Sequence, residues 1–149
     1  SKIDNKGTWR TLSKDEWNYL LGENLIRRGK YKVGVQIEES GKILGKGLVI
    51  APDDFPEEIK SSYTKYEYNE YDKEYGLVFL PLGGRRNGND VVTVVDGVGT
   101  SGRYWSSTAN KDNIREAWYL SFNLNSVSQW KPQGKHNGAN VRLVSYVKY

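Results

Sequence analysis

Apolar residues recur along this chain with two different periods, and the change from one to the other marks out its elements. In "TLSKDEWNYLLGENLIRRG" the residues Trp17, Leu20, Leu21 and Leu25 fall on one helical stripe. Ser13 and Glu16 have the spacing of a capping box, and Gly29 can close the helix in a left-handed turn. "YKVGVQIEE" then switches to alternation, with Tyr31, Val33, Val35 and Ile37 on one side of a half-buried strand. Ser40-Gly41 supplies a turn, and "KILGKGLVI" returns as the second arm of a hairpin. "APDDFPEEIK" reads as a loop that opens a second short helix. Tyr68, Tyr71 and Tyr75 stand at helical spacing before Gly76, although the same tyrosines also fit a strand.

Strand patterns dominate the rest. "LVFLPL" is a buried apolar run, "GGRRNGND" a turn-rich loop and "VVTVV" a further strand. The last third predicts three more, "GRYWSS", "EAWYLSFN" and "ANVRLVSYV". In "EAWYLSFN" side chains alternate between faces, so Trp118, Leu120 and Phe122 point one way and Tyr119, Ser121 and Asn123 the other. Two early helices followed by mostly antiparallel, irregular strands predict an α+β fold in a single domain spanning 1–149. Between the late strands lie "ANKDNIRE" and "NLNSVSQWKPQGKHN", polar segments without a period, and these read as loops.

A length of 149 residues suffices for one core. Hydrophobic content is low at 37%, but 5 Trp, 11 Tyr and 3 Phe compensate with large buried areas. No apolar run approaches the roughly 18 residues that span a membrane, so membrane insertion by this domain is not expected. A start at Ser1 and the lack of Met suggest the C-terminal part of a longer exported or phage protein. The net charge of +4 is uneven. Residues 103–149 carry 7 bases against 2 acids, which reads as a mildly basic solvated face or as a surface for an anionic partner.

Catalytic chemistry finds little to work with. There is no Cys and one His, His136, in a Gly- and Asn-rich loop, so zinc and iron sites lack ligands. Asp53, Asp54, Glu57 and Glu58 do not have EF-hand spacing and read as helix-start acids. "LGKG" and "PLGGRRNG" match neither a P-loop nor a dinucleotide fingerprint. The expectation is a non-enzyme with no cofactor and no metal. A nucleic-acid binder would need its bases in a stripe with stacking aromatics, which the scattered bases do not give. A hydrolase would need two facing carboxylates in a pocket.

Five short motifs in order resemble those of bacterial C-type-lectin-like domains: "TWRTLSKDEWNYLL", "GLVFLPLGGRRNG", "GRYWSST", "AWYLSFN" and "GANVRLV". The likeness runs from about Trp9 to Val144 and implies the C-type-lectin-like fold. It departs at Ala139, where the family carries an aromatic. The resemblance extends to the variable proteins of diversity-generating retroelements. There, error-prone reverse transcription at adenines turns Asn codons into many amino acids at fixed positions of a ligand-binding surface. It therefore implies a hypervariable receptor at the tip of a surface or pilus adhesin, or on a phage tail fibre. The partner would be a protein or a glycan on another cell, and the location the cell surface or the extracellular space. The alternative is a fixed lectin-like surface domain with one glycan or protein ligand.

On that reading Trp105, Trp118, Leu120, Phe122, Val141 and Leu143 form the framework. The variable surface comprises Lys111, Asp112, Asn113, Ile114, Arg115, Ser121, Asn123, Asn125, Ser128, Trp130, Lys131, Gln133, Lys135, His136, Asn137 and Asn140. Residues 110–140 hold 6 of the 12 asparagines, as partial survival of Asn codons would leave them. Trp130 is the expected anchor, since buried aromatics carry much interface energy. Arg142, within "NVRLV", reads as a structural ion pair or carbonyl clamp. Animal-type calcium-dependent sugar loops, and the cysteines or histidines of the fold's oxidase relatives, are absent.

Overall fold

A computed structural model describes residues 8–22, 29–55, 59, 64–67, 76–88 and 95–145. Among the described residues strand makes up 58% and helix 8%, so the fold is mostly β, and the expected two-helix α+β class is overturned. Strands β1 (Trp9–Thr11), β2 (Tyr31–Glu39), β3 (Lys42–Ile50), β4 (Lys65–Glu67), β5 (Val78–Pro81) and β6 (Gly83–Arg86) come first. They are followed by β7 (Val95–Val98), β8 (Ser101–Ala109), β9 (Glu116–Asn123), β10 (Val127–Gly134) and β11 (Leu143–Ser145), and among the described residues one helix, α1 (Lys14–Leu21), follows β1.

Three sheets result, ordered β1-β11, β10-β9-β8-β6-β7 and β4-β2-β3-β5. The pairings are mixed, because β4 lies parallel to β2 and β6 parallel to β8. Here lies part of the reason for the class correction. Lys65–Glu67, early in the tyrosine-rich segment, forms a strand, and Gln36↔Lys65 through Glu38↔Glu67 pair it with the open edge of β2. Tyr66, a good strand former, sits at the middle of that pairing, opposite Ile37. Tyr68, Tyr71 and Tyr75 themselves lie outside the described residues, as do 56–58 of the other expected helix start and 91–94 of "VVTVV".

The first helix is real but short. The capping box forms in both directions, with Glu16 N donating to Ser13 Oγ at 3.2 Å and Ser13 N to Glu16 Oε2 at 2.8 Å. Lys14 N donates to Thr108 Oγ1 at 3.0 Å, so β8 satisfies a further orphan amide of the first turn. Arg10 grips the Glu16 carboxylate with two N–H groups, at 2.7 and 2.5 Å. That grip, with the Ser13 amide, holds the carboxyl pKa down at about 2. The helix ends at Gly22, which is extended, rather than at Gly29; Leu25 lies outside the described residues. The hairpin is as expected, and Ser40 and Gly41 both take positive φ, as a two-residue primed turn requires.

The main core joins α1 to two sheets. Trp17 and Leu21 meet Leu48 and Ile50 of β3, Leu80 of β5, Leu82, Tyr104 of β8, and Leu120 and Phe122 of β9. Tyr104 stacks on Phe122 at 5.9 Å and donates its hydroxyl to Pro81 O at 3.0 Å. Burial raises that phenol to about 12. Gly102 must be glycine, because a Cβ there would sit on the Phe122 ring. A second cluster, Val35, Ile37 and Val49, packs with Ile59, Leu77 and Phe79. The expected framework holds for Leu120 and Phe122, each 1% exposed, but not for Val141 and Leu143, which are about half exposed at 54% and 50%. "NVRLV" pairs at both ends, Asn140 bridging to Tyr104 of β8 and Leu143–Val144 lying in β11 against β1, while Val141 to Leu143 run exposed along the surface.

Candidate functional site

The alternation of β8 and β9 builds two faces. Tyr104 and Gly102 oppose Leu120 and Phe122 toward the core. Arg103 opposes Ser121, and Trp105 opposes Tyr119, on the outer face. Trp105 meets Tyr119 edge-on at 6.1 Å and 79°, and the Arg103 guanidinium lies 5.8 Å from the same ring. Those two neighbours cover Tyr119, so it is buried although it points outward. Arg103 Nε is buried with no hydrogen-bond partner, and among the described residues no ion pair engages the guanidinium. Strand β10 extends the face, setting Ser128 beside Ser121 and Gln133 beside Ala117. At one end a shallow hollow of about 320 Å³ opens between Trp105, Ser107, Ala109, Ala117 and Lys135.

The segment after β8 rims that hollow. Its backbone is closed by Asn110 N to Glu116 O at 3.1 Å and Glu116 N to Asn113 O at 3.0 Å. Lys135 docks on it, N to Arg115 O at 2.8 Å and Nζ to Ile114 O at 2.8 Å. The side chains of Lys111, Asp112, Asn113, Ile114 and Arg115 are all exposed, Ile114 to 83%. A fully hydrated isoleucine on a backbone-fastened loop contributes nothing to the core and offers a partner an apolar knob.

The predicted residues do not form one patch. Lys111 to Arg115, Gln133, Lys135, His136 and Asn137 gather at the hollow end, whereas Asn123 and Asn125 lie at the other end of β9. Eight residues of strand separate the two groups by about 23 Å. Ser121 and Ser128 sit between them, paired across β9 and β10. "NLNSVSQWKPQG" is not a loop but largely the edge strand β10, bulged between Ser128 and Lys131. Its Pro132 and lack of apolar alternation concealed it, and both features suit an edge strand with a bulge. The side chains of Trp130 and Lys131 lie outside those described.

Several asparagines have fixed employment. Asn113 Oδ1 accepts from Arg115 N and Asn110 Oδ1 from Asp112 N, both at 3.1 Å. Asn123 Oδ1 takes the amides of Asn125 and Ser126, at 2.8 and 2.9 Å, and Asn137 Oδ1 that of Gly88 at 3.1 Å. Asn140 is inserted between β6 and β8, its Nδ2 donating to Gly84 O at 3.1 Å and Arg103 O at 3.0 Å. Asparagine makes such turns because its short amide mimics backbone. Arg142, expected in a clamp or ion pair, is exposed and has no hydrogen bond or ion pair among the described residues. The sequence reading put Trp105 in the framework, set Tyr119 outward without making it a site residue, and left Arg103 out, whereas all three meet on the outer face. The signal was there in "GRYWSST", whose alternation sets Arg103 and Trp105 opposite Tyr104.

Residues 53–144 match the family described as Domain of unknown function (DUF8237). The chain belongs to that family. The DUF8237 match begins after the β2–β3 hairpin and takes in both the outer face of β8–β10 and the 110–115 loop, while α1 precedes it. No curated protein and no solved structure matches the chain. Among the described residues no helix is long and apolar enough to cross a membrane, and no three His, Cys, Asp or Glu side chains cluster as a metal site would need.

Proposed function

We propose that this DUF8237 protein is a ligand-binding module rather than an enzyme, and that its contact surface is the outer face of β8–β10 with the 110–115 loop and the 133–137 turn. The observation that carries the reading is the separation of duties in the loop. Its fold is maintained by main-chain bonds to Glu116 and Lys135, while Lys111, Asp112, Ile114 and Arg115 contribute only exposed side chains. Such side chains can change without unfolding the domain. Together with the resemblance to variable proteins of diversity-generating retroelements, this supports a hypervariable receptor for a protein or glycan on another cell. The carrier is then the tip of a surface or pilus adhesin, or a phage tail fibre.

Within that reading the diversified set narrows. Lys111, Asp112, Ile114, Arg115, Ser121, Asn125, Ser128, Gln133 and His136 are free to vary, and Asn113, Asn123, Asn137 and Asn140 are held by their amide bonds. The same bonds favour one alternative. If turn chemistry explains the asparagines, their abundance need not reflect mutable codons, and the domain is a fixed surface module with one ligand. Deep sequencing of the gene's 3′ end across a population decides. Substitutions concentrated at the free positions, with Leu120, Phe122 and Asn140 constant, support diversification. An invariant stretch leaves the fixed module.

A further inference from the structure

On the core side of the molecule, away from the outer face of β8–β10, a second cavity of about 250 Å³ opens between α1, the end of β3, the start of β5 and β11. Leu12, Trp17, Leu20, Ile50 and Val78 give it apolar walls, and among its eleven described lining residues Arg142 is the single charged one. Two donors in that lining lack acceptors among the described residues. Trp17 is 1% exposed, yet its indole N–H has no hydrogen-bond partner there. Arg142 is exposed and has no hydrogen bond or ion pair among the described residues. Its charge reaches the Tyr104 phenol, where it opposes the upward shift caused by burial.

We propose that this cavity binds a small amphiphilic carboxylate, a short acyl chain or single ring with its acid group held by Arg142. Apolar walls reject polar bodies, because a hydroxyl or amide entering them would leave water without a partner. An unopposed guanidinium at such a wall selects an anion, and its planar fork fits a carboxylate with two parallel bonds. The volume lies just below the roughly 300–1,000 Å³ typical of drug-sized ligands, so the body is small. Among the described residues no acid lines the cavity to compete for Arg142. This site shares no lining residue with the surface proposed above, and its fate does not depend on that reading.

The test titrates octanoate and its uncharged methyl ester into the full chain, followed residue by residue in two-dimensional NMR. Octanoate should give saturable shifts at the Trp17 indole N–H and at Arg142, and bind at least about tenfold more tightly than the ester. Arg142→Gln, a change at an exposed position, should remove that preference while the ester still binds. Arg142→Lys, which keeps the charge and loses the fork, should fall between the two. Equal affinity for acid and ester, unchanged octanoate affinity in Arg142→Gln, shifts confined to 110–137, or no saturable shift at millimolar octanoate would each overturn the proposal.

Discussion

Asn140 separates two accounts of the surface, and its replacement by Ala is the most informative single change. If it were a freely variable position, truncation would leave stability untouched. The structure gives it another task. Its Nδ2 bonds Gly84 O and Arg103 O, its main-chain N bonds Arg103 O at 2.8 Å, and its own carbonyl accepts from Trp105 N at 3.0 Å. Alanine keeps the two main-chain bonds and loses the two side-chain ones. At about 1 kcal/mol net for each lost bond, the cost is about 2 kcal/mol. Arg103 O retains one donor, so the larger share falls on Gly84 O, in a buried residue. For a chain of this size that lowers Tm by about 4–8 °C. Asn140→Asp should be worse, because it turns a carboxylate oxygen toward two carbonyls. Asn125→Ala, at an exposed turn position, is the control and should stay within about 0.5 kcal/mol. Urea unfolding of the three variants measures the difference. A loss at Asn140 no larger than at Asn125 would refute the argument and return Asn140 to the variable set.

Other expectations concern different parts of the molecule. The Glu16 carboxyl is depressed to about 2, so its stabilisation is complete above its ordinary value of 4.5 and disappears as pH falls from there toward 2. Because the Arg10 and Glu16 side chains are 54% and 40% exposed, screening limits the effect to about 1 kcal/mol. Urea midpoints from pH 7 to 2 should therefore fall less steeply for Glu16→Gln, and an identical acid limb would refute this. Gly34→Ala should cost at least about 2 kcal/mol, since φ is +72° and the new Cβ would collide with Leu124 O; a Tm equal to that of the parent would show that the approach relaxes. Ile114→Ala should change stability by less than about 0.5 kcal/mol while weakening the ligand found in a binding screen at least tenfold. Unchanged affinity would remove the loop from the contact surface.

Local pattern alone determined the capping box at Ser13 and Glu16, the Ser40-Gly41 hairpin and both faces of β9. Each depends on neighbours within a few residues: a hydroxyl and a carboxylate one turn apart, two positive φ angles, a side-chain period of two. The sequence also located the exposed 110–115 loop, because apart from Ile114 its residues are polar and follow no period. Tertiary structure decided the rest. Lys65–Glu67 entered as a strand because the edge of β2 was open to it. "VSQWKPQG" became β10 because β9 offered it unpaired main-chain groups, and no periodicity of its own records that. Val141 and Leu143 carry an apolar pattern, yet they remain outside because other side chains fill the core first. Asn140 looks like any other loop asparagine, and its bonds to Gly84 and Arg103 exist only after it has been brought against β6 and β8, across 56 and 37 residues of chain. Pairing partners distant in sequence leave no local trace, so the strand content and the division between fixed and free surface residues were set by assembly.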